Sequence, residues 1–471
     1  MSTTSLFGLF LILVHIAGII AALDAVRRAR TTQGAIAWAV LLLSFPYFAL
    51  LPYLVLGSAR FERYVGARRQ ENRRMRERVP HLPWDLDAEH DAVDGLPASA
   101  RLTRMPLLHG NQVRLLVDGE ATFAAIFAAI ERAERQVLVQ FFTIADDALG
   151  RRLFDALLAR AAKGVEVYLL CDEIGSHGLP SAHLERLRAG GVKAYKFVTQ
   201  SGFGFNRFQI NFRNHRKLVV VDGEQAFIGG HNVSLLYLGA KPPLAPWRDT
   251  HIALEGPVVG CLQYTFAEDW YWSAGELPTL CVPPRRDAGQ MRCQALPFGP
   301  ADIYETCMLS LVEAINRARR RLWLTTPYLV PDEAVSAALT LAVQRGVEVR
   351  ILVPSRPDHL IVYLASQFCA RQAVHDGIEI YRYLPGFIHQ KVWLVDDDFA
   401  VIGSANLDNR SLRLNFEQMV AVFDQGFASE VAAMLERDFE QARRLDRAQL
   451  DAVPRWRQAV ERVAHLFSPV L

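Results

Sequence analysis

Lysine is what this chain has least of among its charged residues. Of 52 Lys plus Arg, only six are lysines, at 163, 193, 196, 217, 241 and 391. Net charge is also nearly absent, at +2, so the broad basicity of a nucleic-acid-binding protein is excluded. The six cysteines are scattered and form no CxxC pair or metal-type spacing. They read as small buried hydrophobes in a reducing compartment, and neither a disulfide framework nor a zinc site is expected. Long apolar runs are missing from most of the chain; the excess behind its 51% hydrophobic content sits at the N-terminus.

Two of the six lysines stand in a repeated pattern. His215-Arg216-Lys217 is followed by an apolar run and Asp222, and His389-Gln390-Lys391 is followed by another and Asp396. Each reads His-x-Lys-x4-Asp. A small-residue turn ending in Asn follows at matching spacing: Gly229-Gly230-His231-Asn232 and Gly403-Ser404-Ala405-Asn406. In extended backbone, alternate side chains share a face, so each His points with its Lys. The apolar residues after them suit a strand buried on both faces. An imidazole can attack phosphorus or carry a proton, and an ammonium can hold a phosphate oxygen as a compact charge. One copy is as well explained by surface residues at a sheet edge; two copies in register point to phosphate chemistry. Arg has replaced Lys almost everywhere else, and a planar fork does not substitute for a point charge in a close-fitting site.

The chain divides along its length. Residues 5–23 and 34–57 are apolar runs long enough to cross a bilayer, the second interrupted by Pro46 and Pro52. The first could be a signal peptide, but no Lys or Arg precedes it and a second run follows, so a membrane hairpin is expected, its second leg kinked or re-entrant. Eight arginines against three glutamates over 60–78 suit a helix beside anionic lipid, or else a solvated one. The positive-inside rule puts this side in the cytoplasm, with Arg27, Arg28 and Arg30 pulling the other way. The expected division is 1–59 transmembrane hairpin, 60–100 Arg-rich segment and linker, and lobes at 101–285 and 286–471. Within the lobes, helix and strand patterns alternate twice in the same order, with the two His 174 residues apart. The expected fold is α/β, two tandem α-β-α lobes forming a pseudo-dimer with both motifs facing one cleft. Leu277–Pro300 reads as a linker, and 427–466 as helix covering the second half.

These residues resemble the phospholipase D superfamily. Further stretches narrow the resemblance to bacterial cardiolipin synthases: Trp247-Arg248-Asp249-Thr250-His251, Pro327-Tyr328-Leu329-Val330-Pro331, and above all Gly403 to Glu417. The resemblance spans essentially the whole chain and is weakest over 80–115. It implies a cofactor- and metal-independent transfer in which two phosphatidylglycerols give cardiolipin and glycerol in a bacterial inner membrane, with the lobes cytoplasmic. Residue chemistry reaches the same scheme: one His becomes phosphatidyl-histidine, and the other protonates the leaving glycerol, then deprotonates the incoming lipid. His215 is taken as nucleophile and His389 as acid–base; the spacing does not order them.

The candidate catalytic set is therefore His215, Lys217, Asp222, His389, Lys391 and Asp396. Within it, the odd offset from the His gives Asp222 and Asp396 a structural reading. Asn232, Asn406 and Ser404 are expected to help the lysines hold phosphate oxygens. By family position, Asp249 and Glu417 are expected to orient the imidazoles, surface ion pairs being the plainer alternative. His231 could titrate or be an ordinary turn residue. The aromatics of 202–208 and Phe387 suit lipid contact or core equally. A phospholipase D using water as acceptor is the rival enzyme; a nuclease of the same superfamily and an inactive membrane scaffold are further rivals. Partners are phosphatidylglycerol and anionic lipids, not nucleic acid, with a homo-oligomer left open.

Overall fold

The computed structural model describes residues 3–28, 32–56, 58–78, 95–197, 212–281 and 287–470. It separates into two compact units, one of the described residues up to 74 and one of those from 75 onward. The aromatic stretch 202–208 lies outside the described residues.

In the first unit, α1 (Thr3–Arg28) contains Ser5–Arg27, which among the described residues is the one helix long and apolar enough to cross a membrane. The second apolar run is not one helix. It breaks into α2 (Thr32–Ser44) and α3 (Pro46–Leu56), because Pro46 lacks an amide and clashes with the preceding turn. Pro52 stays inside α3. These pieces pack back on α1, where a Cβ on Gly18 would lie 2.6 Å from the Leu42 carbonyl oxygen. The Tyr53 hydroxyl donates to Asp24 across the same contact, at 2.8 Å. The Arg-rich segment is helical, α4 (Ser58–Arg78). At its C-terminal end, in the second unit, Arg76 pairs with Glu268 at 3.2 Å.

The second unit is α/β, and its two halves repeat one another. After α5 (Pro97–Thr103), the first half contributes β1 (Leu107–Val117), α6 (Asp118–Arg132), β2 (Gln136–Phe141), α7 (Ala148–Ala161), β3 (Glu166–Asp172), α8 (Ser181–Ala189) and β4 (Lys193–Phe197). Then come β5 (Arg213–Asn214), β6 (Leu218–Val221), β7 (Gln225–Gly229), β8 (Trp247–Arg248), β9 (Thr250–Glu255) and α9 (Val258–Ala274). The second half answers with β10 (Met291–Phe298), α10 (Thr306–Arg317), β11 (Arg321–Thr325), β12 (Leu329–Val330), α11 (Glu333–Gln344), β13 (Glu348–Pro354), α12 (Leu360–His375) and β14 (Glu379–Tyr383). It continues through β15 (Phe387–Ile388), β16 (Val392–Val395), β17 (Phe399–Gly403), β18 (Leu407–Asp408), α13 (Asn409–Arg413), β19 (Asn415–Phe423) and α14 (Gln425–Glu440). It closes with β20 (Ala442–Arg444), α15 (Arg447–Asp451) and α16 (Arg455–His465).

Strand order shows the repeat. One sheet runs β4-β3-β2-β6-β7-β9-β1, then β10-β19-β17-β16-β11-β13-β14-β20. The order reads the same outward from the β1–β10 pair, apart from the added edge strand β20. Each half has its own apolar core: one around Val139, Phe154 and Leu169, the other around Leu324, Ile351 and Trp393. The apolar runs after each motif Lys form β6 and β16, buried at every residue as a two-faced central strand requires.

Two expectations fail here. The presumed linker Leu277–Pro300 carries β10, a central strand paired antiparallel with both β1 and β19. Its Pro297 argues locally against a central strand, but lies next to the strand's end. The presumed helical stretch 427–466 is broken, since β20 leaves α14 to pair with β14 and Pro454 starts α16 afresh.

Candidate active site

Two short strands cross between the halves, and they position both motifs. β5 pairs in parallel with the start of β19, with Asn214 opposite Phe416; β15 pairs in parallel with β8, with Ile388 opposite Arg248. The backbone continues the exchange. The His215 amide donates to the Phe416 carbonyl at 2.9 Å, and the His389 amide to the Arg248 carbonyl at 2.8 Å. Each motif His is thus bonded to the residue just before the other half's candidate carboxylate. Nδ1 of His215 lies 2.9 Å from Glu417 Oε2, and Nδ1 of His389 lies 2.7 Å from Asp249 Oδ2. The pairs are crossed, each lobe orienting the other's histidine. Both carboxylates are fully buried, so the surface-ion-pair reading of Asp249 and Glu417 does not hold.

In each ring a carboxylate engages Nδ1, which sets the tautomer and leaves Nε2 for chemistry. The lysines come from the same backbone turns. Lys217 Nζ donates to the His215 carbonyl at 2.7 Å and Lys391 Nζ to that of His389 at 2.5 Å, so each keeps further N–H donors. Regular strand begins only after the lysines, at Leu218 and Val392.

Burial and mutual repulsion tune these groups. Burial pushes the Lys217 ammonium down to about 7, with Glu417 pulling it back up and Lys391 pushing further down. Lys391 falls to about 8, again mainly through burial. His215 falls to about 4: burial outweighs the opposing Glu417 charge, and both lysines add to the fall. His389 falls well below its usual value through burial, then Lys391, Lys217 and His215. His215 and Lys217 each feel the Lys391 charge, and His389 feels Lys217 and His215, so the motif groups of the two halves lie within electrostatic reach of one another. An anion bound there would raise every one of these values.

The remaining candidates fall into two groups. Ser404 donates its hydroxyl to Glu417 at 2.5 Å, beside donors from Ser411 at 2.7 Å and Asn415 at 3.2 Å. Its counterpart Gly230 is explained by space, since a Cβ there would lie 2.0 Å from Asp249 Oδ1. Asn232 accepts from the Thr143 amide and donates to the Tyr237 hydroxyl, while the Asn406 amide group donates to Asp408 at 3.1 Å. Asp222 and Asp396 sit at the far ends of β6 and β16, outside the pocket. The Asp222 carboxylate accepts from the amides of Glu134, Arg135 and Gln136, and that of Asp396 from Arg319, Arg320 and Arg321. Both have positive φ, 54° and 51°, which Asp tolerates better than most residues. Their place among the reacting groups is therefore corrected to that of clasps on the neighbouring strand. His231 is no surface turn residue: it is fully buried, with Nδ1 3.0 Å from Nδ1 of His251.

Several contributors had no local signal. Phe142 meets the His215 ring edge-on at 5.0 Å. Trp247 and Tyr237 flank His389 at 5.1 and 5.8 Å, and Trp247, Tyr237 and Phe387 form a small core joining the halves. Phe387 is thus core. Arg216 is locked to Asp269 at 2.6 Å, and Arg248 to Asp438 at 2.7 Å, both pairs buried. Breaking one partner of such a pair costs ~3–5 kcal/mol and would shift the histidine beside it. A helical Asp about twenty residues after each orienting carboxylate was the available sign.

Two repeated lobes whose histidines each take the other lobe's carboxylate define a two-lobed phospholipase D-like protein. The profile described as "Cardiolipin synthase, PLD-like domain" matches residues 126–238 and 311–442. The chain is 55% identical to cardiolipin synthase A of Pseudomonas aeruginosa, over all of this chain and 97% of that one. It is 54% identical to cardiolipin synthase A of Pseudomonas entomophila, over 99% and 98%. The chain belongs to the cardiolipin synthase family. Among solved structures, the phosphatidylserine synthase of Haemophilus influenzae shares the fold with a TM-score of 0.58 at 14% identity, over 80% of this chain and all of that one. The polyphosphate kinase of Porphyromonas gingivalis does so at 0.50 and 17%, over 75% and 52%.

Proposed function

We propose that the protein is a cardiolipin synthase joining two phosphatidylglycerols, with residues 101–285 and 286–471 as its two lobes. The carrying observation is the crossed pair of buried, carboxylate-held imidazoles, each followed by a buried lysine bonded to its own motif's histidine carbonyl.

His215 is the nucleophile. It is neutral at physiological pH, and its Nδ1–H points to Glu417. Nε2 attacks the phosphorus of the first lipid, the P–O bond to its glycerol headgroup breaks, and a phosphatidyl-histidine forms. The positive charge that the ring acquires faces a carboxylate held by three further donors, which is why this half suits the covalent role. His389 gives its proton to the departing glycerol oxygen. The substrate's own anion offsets the lysines and raises His389, so it is protonated when substrate is bound and readily gives the proton up afterwards. It then takes the proton of the second lipid's glycerol hydroxyl, whose oxygen attacks phosphorus and frees His215. Lys217 and Lys391 hold the non-bridging oxygens, with the amides of Asn232 and Asn406 beside them. A phosphodiester is exchanged for a phosphodiester, so the reaction is close to thermoneutral.

The aromatic wall of Trp247, Tyr237 and Phe387 beside His389 disfavours water as acceptor. α1 inserts in the bacterial inner membrane, with the Arg-rich α4 on the cytoplasmic side. Purified full-length protein given phosphatidylglycerol alone should release glycerol and cardiolipin in equal amounts. Phosphatidic acid without cardiolipin would overturn the synthase reading.

A further inference from the structure

The last helix is built inside out. In α16, the side turned inward carries polar groups beside the small Ala464: Glu461 is buried and pairs with Arg371 of α12 at 2.6 Å, and His465 packs on Phe368. The outward side is apolar. Trp456, Val460 and Val463 recur at one-face helical spacing and are 71%, 42% and 57% exposed, and Phe467, in the turn just past the helix, is 51% exposed. A helix folded for water alone would show the reverse pattern. Arg455 and Arg462 border this face on one side and Arg457 on the other, all exposed.

The helix runs antiparallel to α12, with Glu461 on Arg371 and His465 beside Cys369, so its C-terminal end approaches the start of α12, where Leu360 and Ile361 are exposed. There the Ser468 carbonyl accepts from Asn409 at 3.0 Å, tying the same end to α13, three residues past the pocket's Asn406.

We infer that α16 is an interfacial helix, which lays Trp456, Val460, Val463 and Phe467 into the surface of an anionic bilayer with its arginines at the headgroups. Aromatic and aliphatic side chains on one face, flanked by Arg on both borders, match the acyl boundary and anionic headgroups of such a surface. A protein partner does not call for a border of arginines alone. The contact brings the α13 edge of the pocket to the membrane from the second lobe, independently of the N-terminal helices.

The test uses the full chain reconstituted in vesicles, and its readout needs no turnover, so it is separable from the assigned chemistry. Cys281 is half-buried and the other five cysteines are buried, so a Cys281→Ser background allows Val463→Cys to be labelled with a polarity-sensitive fluorophore. In phosphatidylglycerol-rich vesicles, spin-labelled lipid should quench the probe roughly twofold or more, with little quenching by aqueous iodide. In phosphatidylcholine vesicles, or with Arg455→Gln plus Arg462→Gln, the preference should reverse. Strong iodide quenching in both vesicle types overturns the inference. Protection from both quenchers, with cross-linked dimers lost on Trp456→Glu, overturns it in favour of a second copy of this chain. Thermal melts of each variant check that a changed signal is not unfolding.

Discussion

The two halves of the pocket are built alike and finished differently. Around His215, the orienting carboxylate is longer and saturated, with Glu417 taking donors from Ser404, Ser411 and Asn415. Around His389, Asp249 accepts from the backbone amide of Thr250 at 2.8 Å and from the Trp247 indole N–H at 3.5 Å, and Gly230 replaces the serine. Aromatic rings close in on His389 from Trp247, Tyr237 and Phe387, whereas His215 has Phe142. Backbone duplication supplies two imidazole–lysine pairs, and in the proposed mechanism the surroundings separate their duties. A polar, firmly anionic partner suits a ring that becomes cationic on forming a bond to phosphorus. An apolar wall suits a ring that takes and returns a proton away from water.

The largest effect should come from the histidines. His215→Ala and His389→Ala should each lower synthesis by on the order of 10³-fold or more. A phosphatidyl ester with a p-nitrophenol leaving group separates them, because it needs no proton from His389. With it, His389→Ala should accumulate a lipid adduct on the peptide bearing residue 215, seen by mass spectrometry. His215→Ala should give none, and an adduct on residue 389 would reverse the assignment.

Next come the crossed carboxylates. Glu417→Gln and Asp249→Asn should each reduce kcat by roughly 10²–10⁴-fold with KM little changed, since each spoils the tautomer of the other lobe's histidine. Gly230→Ser should match Asp249→Asn, because its Cβ displaces that carboxylate. An active Gly230→Ser would show that the asymmetry is incidental.

The lysines predict a pH dependence with a definite sign. Lys217 and Lys391 lie at about 7 and about 8 in the empty pocket, and a bound anion raises both. Binding of a soluble glycerophosphodiester should therefore take up protons and weaken as pH rises through that window. Calorimetry in buffers of different ionisation enthalpy would show this; proton release on binding would refute it.

Smaller still, Ser404→Ala should cost about tenfold in kcat, with a melting shift of a few degrees from the lost bonds to Glu417 and the Gln418 amide. The smallest catalytic effects belong to Asp222→Asn and Asp396→Asn. Each should lose ~1–2 kcal/mol of stability, read as a melting shift of a few degrees, and leave KM unchanged. A selective loss of kcat in either would return it to the reacting set.

Much of this protein was legible locally. The motif spacing picked out the two His–Lys pairs, and helix–strand alternation gave the repeat, because both are short-range periodicities. What was illegible depends on distant pairing. Pro297 hid β10, whose role comes from two neighbours on either side of the sheet. The odd offset of Asp222 pointed away from the pocket, but nothing nearby named the amides it clasps. The polar inner face of α16 has meaning only once Arg371 stands opposite Glu461.

By itself, the amino-acid order determined two imidazole–ammonium pairs leading into buried strands, a repeated α/β pattern and an apolar start to the chain. Tertiary structure alone decided which carboxylate serves which histidine, across 202 residues in one case and 140 in the other. It also decided how far burial and repulsion between the halves lower the values of those groups. The physical reason is that side-chain direction follows from adjacent backbone, whereas charge interactions depend on distance in space and on the water that packing removes.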